Sequence, residues 1–224
     1  MKIADISRWN PITSWPQVAS EVDTLLIRSS TGDRADPTYV SNWQASRSAG
    51  IPKLGIYHYY VTETAPLAQL SFLLNLTAGD FGNEAFVLDC ERREDEKLKP
   101  FDRITYTRNL LTFLFGWKQA TSHPIRIYTS RVEWIAITTL PSLDPSIGLH
   151  VAHWNQTITQ PDIPPGWPTW LRWQFTRTGR VLGITGNIDL SRDNLVVTTP
   201  TPSPISSLAN GIIKLGNQIK QELA

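Results

Sequence analysis

Two carboxylates close an apolar strand in the stretch 85–91, which reads Ala-Phe-Val-Leu-Asp-Cys-Glu. Side chains alternate across a strand, so Asp89 and Glu91 share one face and Cys90 points to the other. Two residues of strand rise separate the carboxylates by roughly 6–7 Å. In a partly dry cleft each raises the cost of ionising the other, and one can stay protonated near neutral pH. A carboxylic acid beside a carboxylate is what cleavage of a glycosidic bond requires.

The same stretch has a simpler interpretation. The charged segment 92–97 follows it directly, so the two acids can equally mark a strand that runs into a solvated loop. Asp-x-Glu is a common pattern, and taken alone it favours that interpretation. A catalytic site becomes the better hypothesis only if other parts of the chain bring chemistry to the same place.

Composition limits the class of protein. The chain has 224 residues, 41% of them apolar, and nine tryptophans, which suffices for one sizeable core and suits a single α/β barrel. The net charge of +1, without a basic stripe, argues against nucleic acid or an anionic membrane as the main partner. Cys90 is the one cysteine, so it forms no internal disulfide, and we expect it to be buried against the outer helices.

Motifs for metals and cofactors are missing from the sequence. The four histidines lack the spacing of a metal-binding helix, and the glycines form no nucleotide-binding loop. The serines lack the Gly-x-Ser-x-Gly context of a nucleophile. We therefore predict neither a metal nor a cofactor.

Short apolar runs alternate with longer helical patterns, as expected for β/α units around a parallel sheet. The candidate strands are Lys2–Asp5, Thr24–Ser29, Lys53–Tyr60, Ala85–Glu91, Ile125–Thr129, Leu149–Trp154, Trp170–Phe175 and Asn187–Leu190. The candidate helices are Pro37–Ala49, Ala65–Leu76 and Phe101–Trp117. Eight strands with too few helices predict a barrel that departs from the regular (β/α)₈ form.

Chemistry in such barrels lies at the carboxyl ends of the strands. Nearly every predicted strand ends in polar or aromatic residues, and three of them end in acids. These residues are Asp5, Arg28, Tyr57–Tyr60, Asp89, Glu91, Tyr128, His153, Trp154, Gln174 and Asp189. Each has an ordinary structural explanation, but their convergence favours a site.

Several of these segments resemble glycoside hydrolase family 25, the lysozymes that act as N-acetylmuramidases. The opening Asp5-Ile6-Ser7 is similar to the family's Asp-x-Ser start, and Leu88-Asp89-Cys90-Glu91 is similar to its Asp-x-Glu strand. The other matching segments, in order, are Ile27–Gly32 with Asp36, Gly55–Tyr59, Trp173–Phe175 and Gly186–Leu190. The resemblance covers about residues 2–194, although Asn10 stands near where a Gln or a Trp-Gln pair is usual and the segment 137–149 does not align with the family.

The resemblance implies a flattened TIM-like barrel and assigns roles. Glu91 would be the general acid/base, and Asp89 would orient a substrate acetamido group whose carbonyl is the nucleophile. Asp5 and Asp189 would complete the acidic floor, and the neighbouring charges would raise the pKa of Glu91. The residues expected to bind sugars are Tyr57, Tyr59, Tyr128, Trp154 and Gln174. For the four aromatic residues, a place in the core is an equally good interpretation.

The implied function is hydrolysis of the β-1,4 bond between N-acetylmuramic acid and N-acetylglucosamine in bacterial peptidoglycan, as in a phage or phage-like-particle lysin. Two alternatives stay open: a catalytically silent glycan-binding component of a particle, and a glycosidase acting on chitin-like polymers. The N-terminus lacks the apolar core of a signal peptide, and no run approaches membrane-spanning length. We expect cytoplasmic synthesis, with action on the wall after lysis, non-classical export or particle delivery.

Composition changes near the C-terminus. We predict a barrel domain over 1–196, a Thr/Pro linker over 197–204 and an amphipathic helix over 205–224. Apolar residues in this helix fit heptad a and d positions, although Gly211 and Gly216 weaken it. We expect another copy or a carrier protein to bind the helix; docking on its own barrel is the alternative.

Overall fold

The computed structural model describes residues 2–98 and 100–195. Within these ranges the chain forms nine strands and six helices. The strands are β1 Lys2–Ile6, β2 Val22–Thr31, β3 Arg34–Ala35, β4 Lys53–Tyr59, β5 Phe86–Asp89, β6 Ile125–Thr129, β7 Gly148–Ala152, β8 Arg172–Gly179 and β9 Ile188–Asp193. The helices are α1 Trp15–Glu21, α2 Tyr39–Ser48, α3 Pro66–Thr77, α4 Glu94–Lys97, α5 Arg103–Ala120 and α6 Arg131–Ile137.

Eight of these strands close into a barrel. Going round it, the order is β1, β2, β4, β5, β6, β7, β8, β9 and back to β1. Strands β1 to β8 of this ring run parallel, whereas β9 is antiparallel to both of its neighbours. The described part of the chain has no helix after α6, so the predicted α/β barrel with an incomplete set of helices is confirmed.

The predicted elements are all present, with shifted ends. All eight candidate strands and all three candidate helices occur, and Ile125–Thr129 has the predicted bounds. The short hairpin strand β3 and the helices α1, α4 and α6 were not predicted. Each of these helices has seven residues or fewer, too short to show a helical period in the sequence.

Helix α5 covers the outer side of β5. Its first turn is capped by Asp102, whose carboxylate accepts hydrogen bonds from the amides of Ile104 and Thr105 at 3.1 and 3.0 Å. Trp117 of this helix stacks on Phe86 with ring centroids 4.2 Å apart. Burying an aromatic side chain of this kind contributes about 1.5–3 kcal/mol. Because this packing fixes the back of β5, the alternate residues of the strand face the barrel interior.

A small apolar layer fills the middle of the barrel. It consists of Leu26, Val87, Tyr128 and Ala152, with Tyr57 packed against them. Polar residues lie at both ends of this layer, and the two ends differ in chemistry.

Two predictions concern parts of the chain outside the barrel. The linker 197–204 and the helix 205–224 lie outside the described residues. No helix within 2–98 and 100–195 has the length and apolarity needed to cross a membrane.

Candidate active site

The carboxyl ends of the parallel strands surround a cleft of about 230 Å³. Four acids line it: Asp5 of β1, Asp89 of β5, Glu91 just beyond β5, and Asp189 of β9. Because β9 runs antiparallel, Asp189 near its start lies at the same end of the barrel as the others. The predicted residues Tyr57, Tyr59, Tyr128 and Gln174 line the same cleft.

The backbone that carries Glu91 is held on both sides. The Tyr59 hydroxyl donates a hydrogen bond to the Glu91 carbonyl at 3.0 Å. The next amide, that of Arg92, donates to Glu133 Oε1 at 2.9 Å, and the Arg92 guanidinium pairs with the same oxygen at 2.7 Å. Glu91 therefore projects into the cleft from a fixed main chain although it lies outside regular strand.

Asp5 and Asp189 form a carboxyl pair. They are directly opposite each other in the β1–β9 ladder, and their side chains share a hydrogen bond. Burial and the neighbouring charge of Asp189 raise the pKa of Asp5 well above its usual range. Burial also raises the pKa of Asp189, while the hydrogen bond from Asp5 and the charge of Arg177 act against that rise. Burial thus disfavours the fully ionised form of this pair.

Asp89 offers an acceptor that the described residues leave unused. Its side chain is buried, and Oδ1 has no hydrogen-bond partner among them. Burial, followed by the charges of Glu91 and Asp5, raises the pKa of Asp89 well above its usual range. A buried oxygen without a partner is costly, so this atom is suited to a donor that arrives with a ligand.

Burial raises the pKa of Glu91 to about 7. The charge of Lys97 opposes the shift, whereas Glu133, Asp189 and Glu94 add to it. The direction agrees with the sequence prediction, but the main cause is burial rather than the surrounding carboxylates. A carboxyl group with this pKa can give and take a proton near neutral pH.

Gln174 connects the acidic floor to the rim. Its Oε1 accepts hydrogen bonds from the Tyr128 hydroxyl at 2.8 Å and from the Trp154 indole at 2.7 Å. Its Nε2 donates to Asp5 Oδ2 at 3.1 Å. The two donors fix which end of the amide faces Asp5, so the orientation of that carboxyl follows from the positions of both aromatic residues.

The sequence and the fold of this chain can be compared with those of known proteins. A sequence model described as Glycosyl hydrolases family 25 matches residues 4–184. The chain belongs to glycosyl hydrolases family 25. It is therefore a glycoside hydrolase, as predicted.

Several relatives support this membership. Lysozyme M1 from Streptomyces globisporus is 27% identical over 198 residues, which are 85% of this chain and 66% of that protein. The crystal structure of a bacterial lysozyme from Streptomyces coelicolor matches with a TM-score of 0.72 at 25% identity, covering 87% of this chain and 92% of that one. The CTP1L endolysin matches with a TM-score of 0.67 at 25% identity, covering 87% and 66%. The chain thus spans about two thirds of lysozyme M1.

Not every polar residue at a strand end faces the family 25 cleft. His58 and Tyr60 alternate away from it into the outer layer, where His58 stacks on Phe113 with centroids 5.8 Å apart. His153 accepts a hydrogen bond from the Asp162 amide. Their orientation follows from strand alternation and the loop after β7. Trp154, by contrast, lies on the rim beside Gln174, with 48% of its surface exposed.

Trp9 and His150 are among the residues that line the cleft without having been predicted from the sequence. Trp9 follows β1 and is 70% exposed, and the Arg8 guanidinium lies 4.5 Å from its ring centroid. His150 lies deeper, and its Nε2 hydrogen bonds to Ser191 at 3.0 Å. The position of His150 could have been found by alternation along β7, whereas nothing in the sequence shows which way the Trp9 loop turns.

A second cavity, of about 310 Å³, lies beside α4 and α5. Its acids have other partners: Glu63 and Glu96 pair with Arg93, and Asp102 caps α5. This cavity therefore lacks the free, buried carboxyl group that distinguishes the cleft. Among the described residues, no group of three or more His, Cys, Asp or Glu side chains is arranged to hold a metal ion.

Proposed function

We propose that this family 25 hydrolase cleaves peptidoglycan at the β-1,4 bond between N-acetylmuramic acid and N-acetylglucosamine. Glu91 acts as general acid and then as general base, and the acetamido group of the substrate acts as nucleophile. The lysozymes among its relatives support the substrate class.

One observation carries the proposal. Glu91, with a pKa of about 7, shares a cleft with Asp89, whose buried Oδ1 has no partner among the described residues. The first group can protonate a leaving oxygen, and the second can accept a hydrogen bond from an acetamido N–H. Together these two groups suit a substrate whose own acetamido group is the nucleophile.

The reaction proceeds in two steps. In the first, Glu91 gives its proton to the glycosidic oxygen, the C1–O bond breaks, and the acetamido carbonyl oxygen bonds to C1. Asp89 accepts a hydrogen bond from the acetamido N–H and stabilises the positive charge that develops there. In the second step a water molecule attacks C1, its proton passes to the Glu91 carboxylate, and the bond from C1 to the carbonyl oxygen breaks.

The remaining acids and aromatic residues support this chemistry. Asp5 and Asp189 contribute negative charge beside the reacting centre, although burial disfavours the ionised form of both. That charge favours the cationic character of the transition state. Tyr57, Tyr59 and Trp9 present ring faces or hydroxyls to the cleft and are suited to binding sugar rings.

Two other functions compete with this one. A catalytically silent glycan-binding protein would have no use for a buried carboxyl group with a pKa near 7, since burying such a group costs stability. A chitin-like substrate also carries acetamido groups, so the catalytic pair alone does not discriminate against it.

Purified cell walls provide the test. We expect the protein to clear a wall suspension and to release fragments whose new reducing end is N-acetylmuramic acid. Reduction with borohydride and identification of the reduced sugar establish which bond was cut. Reduced N-acetylglucosamine, or activity on chitin alone, would contradict the proposal.

Delivery to the wall is a further part of the proposal. We propose that the domain boundaries lie at 196 and 204, and that the helix 205–224 binds another copy or a carrier such as a phage-like particle. In support, the Asn194 side chain donates to the Trp170 carbonyl at 3.1 Å, so the barrel is tied together just before the boundary. Light scattering of the full chain and of a chain ending at 196 tests for self-association.

A further inference from the structure

Arg177 is an exposed arginine at the lip of the cleft that has no ion-pair partner within residues 2–98 and 100–195. It lies on β8, three residues beyond Gln174. Its guanidinium carbon is 4.6 Å from the centroid of the Trp154 ring. A cation over an aromatic face is attracted by the ring, which restricts where the guanidinium goes without neutralising it.

The position of Arg177 is coupled to the catalytic floor through rigid contacts. Trp154, on which it rests, donates to Gln174 at 2.7 Å, and Gln174 donates to Asp5 at 3.1 Å. Its positive charge acts on two acids, Asp189 in the cleft and Glu94 of α4. It opposes the burial that raises the pKa of Asp189, and after the ion pair with Lys97 it helps to lower the pKa of Glu94.

Because the cleft is acidic, the cation of Arg177, unpaired among the described residues, indicates the charge of the ligand that binds there. The floor of the cleft holds four carboxyl groups, and Arg28, the arginine among the residues that line it, is already bonded to Asp36 at 2.8 Å. A neutral sugar polymer would bind this floor without needing a cation. An anionic polymer would be repelled by the floor unless a cation stood where its negative groups lie.

We infer that Arg177, held over Trp154, binds a carboxylate on the 3-O substituent of the muramic acid unit and so selects peptidoglycan over chitin. This inference rests on the proposed function. The carboxylate is either that of the lactyl group in peptide-free strands or one in the attached peptide. The planar guanidinium can bind either in bidentate fashion, while Trp154 keeps it from turning back onto the acidic floor.

The test uses the full chain, acting on walls freed of phosphate polymers. For Arg177→Gln we expect kcat/KM to fall about tenfold, mainly through KM, because one charge-assisted contact is lost. Arg177→Lys should recover part of the loss. The control is Arg108→Gln, which removes the same charge from the exposed side of α5 and should change neither constant.

Chemical changes to the substrate identify the group that is bound. Amidation of wall carboxylates should slow the wild type about as much as Arg177→Gln does, and should slow the variant no further. Peptide-stripped strands, which keep the lactyl carboxylate, distinguish the two sources: if they preserve the Arg177 dependence, the lactyl group is the ligand. Equal losses by Arg177→Gln on intact and amidated walls, or on a soluble chitin derivative, would overturn the inference.

Binding separates this inference from the proposed function. Co-sedimentation with walls of Glu91→Gln, and of the same variant with Arg177→Gln added, measures recognition without turnover. If the wild type does not cleave walls but this binding still depends on Arg177, the proposed function fails and carboxylate recognition stands. If the wild type cleaves walls but adding Arg177→Gln to Glu91→Gln does not change wall binding, the inference fails and the proposed function stands.

Discussion

The two ends of the barrel interior both bury charged side chains, but they combine them differently. At the mouth, Asp5, Asp89, Glu91 and Asp189 face one another. At the opposite end, two arginines meet two acids. Arg172 contacts Asp193 at 2.7 Å and Glu84 at 3.1 Å, and Arg126 approaches Glu84 at 3.5 Å.

The two ends differ in whether each buried charge has a partner of opposite sign. At the lower end opposite charges balance, so ionised groups can stay buried and join β6, β8, β9 and the residue before β5. At the mouth most neighbours are acids, so burial and like charge raise the pKa values of Asp5, Asp89 and Glu91. An acid with a raised pKa can transfer a proton near neutral pH. Burying such acids lowers the stability of the fold, and packing elsewhere in the barrel offsets this loss. The lower end thus joins strands through ion pairs, whereas the mouth holds acids whose pKa values are raised.

The largest expected effect sharpens this comparison at the mouth. Glu91→Gln should lower wall-lysing activity by about 10³-fold or more, because the amide keeps the shape of the side chain but has no proton to give. Circular dichroism should show an unchanged fold. The matched control is Glu94→Gln, an exposed acid three residues later, which should keep most of the activity. Wild-type-like turnover by Glu91→Gln would remove this residue from the mechanism.

The second effect is expected at the lower end and concerns stability. Arg172→Met should lower the free energy of unfolding by about 3 kcal/mol, because it removes the buried cation that pairs with Glu84 and with the partly exposed Asp193. Urea unfolding measures the loss, with the exposed Arg108→Met as control. The activity per folded molecule should fall far less than in Glu91→Gln. A loss of stability below about 1 kcal/mol would show that the lower cluster does not hold the barrel together.

The mouth was easier to predict from the sequence than the lower end. Alternation places Asp89 and Glu91 toward the cleft and sends Cys90 outward, where it is buried in the outer core. Arg172 and Glu84, in contrast, are 88 positions apart and lie in segments without a local pattern. The pairing of Asp5 with Asp189 depends on the register of the closing strands. The main cause of the Glu91 pKa shift, its burial, depends on packing that no single segment encodes.

The smallest of these effects tests whether burial of the mouth acids costs stability. The pKa of Glu91 rises from 4.5 to about 7 on folding. Below pH 4.5 the group is protonated in both states, so its contribution to stability is fully present. Between pH 4.5 and 7 the unfolded chain releases a proton that the folded chain keeps, and the free energy of unfolding therefore falls as the pH rises. This rise in the pKa of Glu91 corresponds to a loss of about 3 kcal/mol, an upper figure since the unfolded chain also retains some contacts.

Glu91→Gln has no proton to release, so it should escape this loss. We expect the variant to match the wild type at pH 4 and to exceed it at pH 8 by as much as 2–3 kcal/mol. Urea unfolding at pH 4, 6 and 8 gives the comparison. Glu94→Gln should show the opposite sign, since the ion pair with Lys97 lowers the pKa of Glu94 and its charged form favours the fold. If the free energy of unfolding changes with pH in the same way for the wild type and Glu91→Gln, then Glu91 ionises without a cost to stability. The two ends of the barrel would then differ in the arrangement of their charged groups but not in the energy needed to ionise them.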